Sequence, residues 1–402
     1  MNQSAMSRTS KEQSKWKALS TGCLAHFIHD GFTDMIYIFF PIWQAQWALS
    51  FGEVGLLKTL VSGSMALFQL PAGIVSNRIG QRKLLFIGTM ITSVAVMLWS
   101  FAFNPYILGL LLIVGGLGSS VQHPIASSVI AEAYSDLKAR RTALSTYNVA
   151  GDIGKLVLPG SAAFLIAYCG WQSAGRLLAA VGLLIALLFL TNSLHSNKTG
   201  SHLPKKTDQP TGSALLLGWN GYQAFWSLAA IGIIDSATRT GFLTFLPFLL
   251  QEKGADVTQI GFTLTLIFAG GAAGKLICGV LAARVGILRS VIITESATAV
   301  CIVGMIALSF SNAQLLAPFL GVALNGTSSV LYGSVPELVS ERQGKQAFSV
   351  FYTMTLGAGA VSPAIYGTIS DFSGITTTVI IAAVVLLATI PLTLPLRGKL
   401  VS

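Results

Sequence analysis

The chain has 402 residues, 53% of them hydrophobic, and only 10% are Asp, Glu, Lys or Arg, against about 25% in an ordinary soluble domain. Its apolar residues run in blocks of about 20, the length a helix needs to cross a bilayer core about 30 Å thick, which excludes a soluble enzyme, a disordered chain and a disulfide scaffold. The net charge of +10 would suggest a nucleic-acid surface in a soluble protein, but here the basic residues sit in short loops between apolar blocks, so no nucleic-acid partner is expected.

In chain order, a basic tail at 1–17 leads into spans at about 18–47, 52–76, 83–103, 105–131, 141–168 and 171–193, which form a six-helix bundle over 18–194. The first span carries two Asp and two His, which a cleaved signal peptide would not, so it is expected to be a retained helix. The polar, Pro/Gly/Ser-rich stretch His195–Ser213 opens a linker over 195–217. Six more spans follow at about 218–250, 257–282, 288–311, 313–336, 346–369 and 375–396. They form a second bundle over 218–396, with a short tail at 397–402. The expected fold class is an all-α membrane protein with twelve transmembrane helices in two parallel six-helix repeats. Of the 25 basic residues, 19 fall on the tails, the linker and the loops that share their side. That asymmetry predicts both termini in the cytoplasm. The four cysteines show no CxxC pairing, and neither a disulfide framework nor a zinc site is implied.

The duplication is written in the loops. After span 2 the chain reads Gly73-Ile-Val-Ser-Asn77-Arg78-Ile-Gly80-Gln81-Arg82-Lys83, and after span 8 it reads Gly279-Val-Leu-Ala-Ala283-Arg284-Val-Gly286-Ile-Leu-Arg289. Gly73, Arg78 and Gly80 recur as Gly279, Arg284 and Gly286 at an offset of 206, and Asp30 recurs as Asp235 at 205. Parallel repeats of this kind place a substrate site near the bilayer midplane at the repeat interface.

The loop after span 2 resembles the signature of the major facilitator superfamily, G-x-x-x-D-R-x-G-R-R-K, with Asn77 and Gln81 departing from it. Three further stretches resemble the fosmidomycin-resistance efflux branch: His26-x-x-x-Asp30 with Pro41, Gly116-Leu-Gly118-Ser119-Ser120-Val121-Gln122-His123-Pro124, and Gly151-Asp152-Ile-Gly154 with Pro159. The resemblance implies a gate on the cytoplasmic side built from Gly73, Asn77, Arg78, Gly80, Arg82, Gly279, Arg284 and Gly286. It also implies that helices 1, 4, 7 and 10 line the cavity, with 2, 5, 8 and 11 beside them. Asp152 and Lys155 depart from the small or uncharged residues of that branch.

Charges at membrane depth are costly and usually mark ion pathways or relays. The nine at membrane depth, away from the span ends, are Asp30, Asp34, Lys58, Asp152, Lys155, Asp235, Arg239, Lys275 and Glu295. All but Glu295 fall on helices the resemblance places at the cavity. Asp30 is expected to be the coupling carboxylate, with His26 one turn away on the same face and Asp34 one turn further. A carboxyl group in a low-dielectric site takes up a proton more readily than one in water. Lys58, His123, Asp152, Lys155, Asp235, Arg239 and Lys275 are expected to contact substrate. Asp235 with Arg239, and Asp152 with Lys155, read equally well as neutralising pairs. Lys58 and Lys275 suggest an anionic or phosphonate-like substrate group, or else pairing with Asp34, Asp152 or Asp235. Glu295 reads as a structural residue meeting the basic loop. His26, His29 and Asp30 offer too few ligands for a metal site. The glycine runs at 114–118 and 270–274 read as seams for close helix packing, and the absence of a Walker A sequence excludes ATP as an energy source within this chain.

The expected function is therefore secondary transport rather than enzymatic catalysis. The leading expectation is proton-coupled efflux, by antiport and alternating access, of a small drug or metabolite that can carry an anionic or phosphonate-like group. Proton-coupled uptake of an organic anion is the alternative, and a non-transporting membrane sensor a minor one. The expected partners are substrate, protons and the lipid bilayer of the inner membrane, with the chain as a monomer and no cofactor.

Overall fold

The computed structural model describes residues 3–194, 223–339 and 344–400, and no strand occurs among them. The expected linker at 195–217 lies outside the described residues. The first half runs α1 (Gln3–Trp47), α2 (Phe51–Ile79), α3 (Gln81–Trp99), α4 (Pro105–Ser119), α5 (Gln122–Ala133) and α6 (Leu137–Leu194). The second runs α7 (Gln223–Glu252), α8 (Val257–Val285), α9 (Ile287–Ala307), α10 (Phe310–Ser334), α11 (Gly344–Ser373), α12 (Ile375–Leu387) and the short α13 (Thr389–Leu392). Among the described residues nine helices are long and apolar enough to cross a bilayer. One of them, α6, holds two spans that meet at Gly170, whose φ of +76° only glycine adopts freely. With α1 and α7, which carry the buried acids of the two halves, the set reaches the twelve that the sequence predicts.

Local chemistry explains the breaks. The fourth span is interrupted between Ser119 and Gln122, so Pro124 falls in the first turn of α5, where a missing N–H costs nothing. Gly80 and Gly286 open α3 and α9 with φ of +92° and +85°, and each donates its N–H back four residues, to Ser76 O at 2.9 Å and Ala282 O at 3.0 Å. The duplicated loop motif thus makes the same turn twice.

The chain divides into two compact units, Met1–Ile42 with Leu60–Ser201 and Trp43–Thr59 with His202–Ser402. In the first, α3 packs along α6 and α4. α1 crosses α6 so closely at Gly154 that a Cβ there would strike the Phe27 backbone. In the second, α8 and α10 make the most extensive pairing. Gly270 and Gly274 in α8 lie directly against the backbone of Pro318 and Val322, as a small-residue seam requires. The start of α2 belongs to this unit because Asp371 of α11 caps it, accepting hydrogen bonds from the N–H groups of Phe51 at 2.7 Å and Gly52 at 2.9 Å.

Candidate functional site

The first unit gathers three imidazoles, two carboxylates and one ammonium around α1. Asp30 is 6% exposed, and its Oδ2 lies 3.2 Å from His26 Nε2 and 3.4 Å from Lys155 Nζ. Its Oδ1 faces His123 Nε2 at 3.6 Å and His29 Nε2 at 3.8 Å. Lys155 also reaches Asp34 Oδ2 at 3.7 Å, so one ammonium bridges both carboxylates. The local causes are visible in the chain. His26, Asp30 and Asp34 recur every fourth residue and share a face of α1. The helix break before Gln122 brings His123 to the first turn of α5, and its ring meets His26 and His29 edge-on at 4.9 and 4.5 Å.

The tautomer of His26 is fixed by its second contact. Nδ1 lies 2.8 Å from the Tyr147 carbonyl oxygen, which can only accept, so Nδ1 carries the proton. Nε2 and the Asp30 carboxyl then face each other at 3.2 Å, and a hydrogen bond between them requires one further proton. The pair is an imidazolium beside a carboxylate or an imidazole beside a carboxylic acid. The ring of His26 also stacks on Tyr147 at 4.0 Å, which holds its plane. Behind the pair stands Gly151, where a Cβ would lie 2.6 Å from His26 Nε2 and 2.8 Å from Asp30 Oδ2.

Access differs within the cluster. The Asp30 side chain is 9% exposed, whereas those of His123 and Lys155 are 37% and 35% exposed. The carboxylate is therefore buried, and the two basic groups on α5 and α6 are half-exposed. His26, Asp30 and His123 also place potential metal-ligand atoms within 4.8 Å of one another, but the Lys155 ammonium already takes the cation's place at that carboxylate.

The other expected residues are distributed as follows. Asp152 is half-buried on α6, and Lys155 on the same helix reaches the acids of α1. Lys58 is 2% exposed on α2 and belongs to the second unit. Lys275 is exposed on α8, beside the exposed Leu276 and Ile277. Asp235 and Arg239 share a face of α7, where Arg239 Nη1 donates to Ser328 Oγ at 3.2 Å. Glu295 does not meet the basic loop as the sequence suggests, since it is 1% exposed inside the second unit. Of the loop-motif residues, Asn77 and Arg78 are exposed, and a methyl added at Gly73 or Gly279 would meet nothing within 4 Å, so only Gly80 and Gly286 are required by backbone shape. Gln81, at a position where the family signature has Arg, donates to Glu132 Oε1 at 2.7 Å and so ties the start of α3 to the end of α5. Sequence reasoning missed the Tyr147 carbonyl, Gly151 and the Gln81–Glu132 bond. Only the His26-x-x-His29-Asp30 spacing gave notice that His29 joins the cluster.

The chain matches the family model described as Major Facilitator Superfamily over residues 22–231 and 228–400. It is 24% identical to a probable sulfoacetate transporter of Cupriavidus necator, over 89% of this chain and 87% of that one. It is 25% identical to a fosmidomycin resistance protein of Escherichia coli, over 92% and 90%. A crystal structure of a bacterial homologue of the human lysosomal transporter Spinster, inward-facing and occupied, shares its fold with a TM-score of 0.78 at 18% identity, covering 96% of this chain and 98% of the other.

Proposed function

The chain belongs to the major facilitator superfamily, and from that premise we propose that it is a proton-coupled carrier of a small organic anion, in which proton and anion occupy the first unit together. The observation that carries this reading is the set of basic groups around Asp30. Lys155 Nζ lies 3.4 Å from Asp30 and 3.7 Å from Asp34, and Lys155 and His123 are half-exposed. An arriving anion adds a negative charge at a site poor in water, and its binding is strongest when a second proton arrives with it. His123 is the imidazole placed to take that proton, and Lys155 supplies a point charge for a carboxylate, sulfonate or phosphonate. Proton and anion therefore bind cooperatively, which is the requirement for symport. The likeness to a sulfoacetate transporter supports an anion of this class. The carrier works as a monomer in the inner membrane by alternating access, with both termini in the cytoplasm and Arg78, Arg82 and Arg284 steadying the gate on that side.

Export by antiport is the second reading, and the likeness to a fosmidomycin resistance protein favours it. The two readings give opposite signs in one experiment. The full-length protein is reconstituted in liposomes and supplied externally with radiolabelled sulfoacetate or fosmidomycin. Symport accumulates the anion when the outside is acid, antiport when the inside is acid. Accumulation indifferent to a gradient of either sign would remove proton coupling from the mechanism.

A further inference from the structure

The second unit holds a buried acid that the cluster in the first does not explain. Glu295 lies near the middle of α9, is 1% exposed, and its Oε1 is buried without a hydrogen-bond partner. The charged groups within its electrostatic reach are Asp235 and Arg239, both on α7. Asp235 is itself 5% exposed. The polar groups around them are uncharged. From α10, Ser328 takes the Arg239 hydrogen bond, and Thr327 donates to Thr294 at 2.7 Å. Two buried carboxyl groups thus lie within electrostatic reach of one guanidinium.

A buried carboxylate oxygen without a hydrogen bond is costly, and neutralisation of the group relieves it. The repeat shows that the acid is particular to this half. Gln122 Nε2 donates to Thr89 Oγ1 at 2.7 Å, and at the offset of 205 the second half repeats that neutral bond between Thr327 and Thr294. Glu295 stands beside it where the first half has Met90. A narrow crevice lined in part by Ser236, Ser328, Tyr332 and Thr355 reaches Asp235 and Arg239.

We propose that Glu295 and Asp235 share one exchangeable proton beside Arg239, making a second proton site in the C-terminal half. Its part in the transport cycle rests on the proton-coupled reading above, while the existence of the proton does not. The test is infrared difference spectroscopy on the full-length protein in lipid nanodiscs, in the absence of alkali cations and again with sodium present, reading the carbonyl stretch of protonated carboxylic acids. Charge counting makes the outcome specific. Glu295→Gln and Asp235→Asn each leave one acid facing one guanidinium, so each loses one carboxyl equivalent of the band. Arg239→Lys keeps the charge and keeps the band. The wild-type band shifts on transfer to heavy water, because the proton exchanges. A Glu295→Gln spectrum that superimposes on wild type would overturn the proposal, and so would a band abolished by sodium, which would make this a cation site. For the role in coupling, Glu295→Gln lowers the number of protons moved per sulfoacetate in proteoliposomes. An unchanged ratio, with the band lost, would reduce Glu295 to a static proton holder and refute its coupling role. If wild-type transport proves independent of protons, the reading of the first unit fails while the infrared result still decides the proton.

Discussion

Replacing Lys155 by Met removes the ammonium that bridges Asp30 and Asp34 while keeping the length of the side chain. The two contacts, 3.4 Å to Asp30 and 3.7 Å to Asp34, would each be worth about 5 kcal/mol at an effective dielectric of about 20 and about 1 kcal/mol in bulk water. Because Lys155 is 35% exposed, solvent screening places the pair near the lower end, and about 1–2 kcal/mol is the expected loss of stability. Transport should fall by about tenfold or more, since the anion loses its point charge as well. The decisive variant is the double substitution Lys155→Met with Asp34→Asn, which removes one positive and one negative charge together. Thermal unfolding of the full-length protein in nanodiscs should show the double variant recovering most of the stability lost in Lys155→Met. Anion accumulation in proteoliposomes should stay low in both. If the destabilisation of the double variant equals the sum of the two single effects, Lys155 and Asp34 are not coupled and the bridge between them is refuted.

Further outcomes follow from single contacts. Gly151→Ala drives a methyl to within 2.6 Å of His26 and 2.8 Å of Asp30, so it should cost about 1–3 kcal/mol by overpacking and abolish anion accumulation. Gly73→Ala, in the loop motif but with open space around it, should leave the unfolding temperature unchanged or raised. His123→Gln should flatten the pH dependence of sulfoacetate binding. Acidification charges the imidazole and adds attraction for the anion, so wild-type affinity rises as pH falls, and an unaltered pH profile in the variant would exclude His123 as the second proton acceptor. Asp371→Ala removes the two N-terminal hydrogen bonds of α2 and should lower stability by about 1–2 kcal/mol in denaturation of the purified protein.

The spans, the duplication and the facing of His26, Asp30 and Asp34 were legible in the sequence because each depends on spacing along one helix. What spacing does not encode is which helix lies opposite. Lys155 has Asp152 three residues away, and the sequence offers that pair as readily as any other. The structure gives Lys155 to Asp30 and Asp34 because α6 packs against α1 where Gly151 and Gly154 remove the side chains between them. Those glycines are ordinary small residues until the crossing is known. Glu295 was misread for the same reason: in sequence it is an acid nine residues beyond Gly286 and near a basic loop, and only the packing of α9 shows that it turns inward.

The two halves reach one electrostatic condition by different residues. At the offset of 205, Asp30 corresponds to Asp235, but Asp34 corresponds to Arg239. The first half therefore places two acids on α1 and takes its cation from α6, whereas the second places an acid and a cation on α7 and takes its second acid from α9. Lys155 bridges the two acids of the first cluster, and Arg239 is the cation within electrostatic reach of the two acids of the second. The helix that supplies the cation decides what else the cluster can do. Lys155 and His123 are half-exposed and belong to helices other than α1, so the first cluster can exchange contacts with an arriving anion. Arg239 sits one turn from Asp235 and is held by Ser328, so the second keeps its cation in place and varies only its proton. Duplication supplied two equivalent acids, and in the reading proposed above substitution one turn further along each helix separates a site for anion and proton from a site for proton alone.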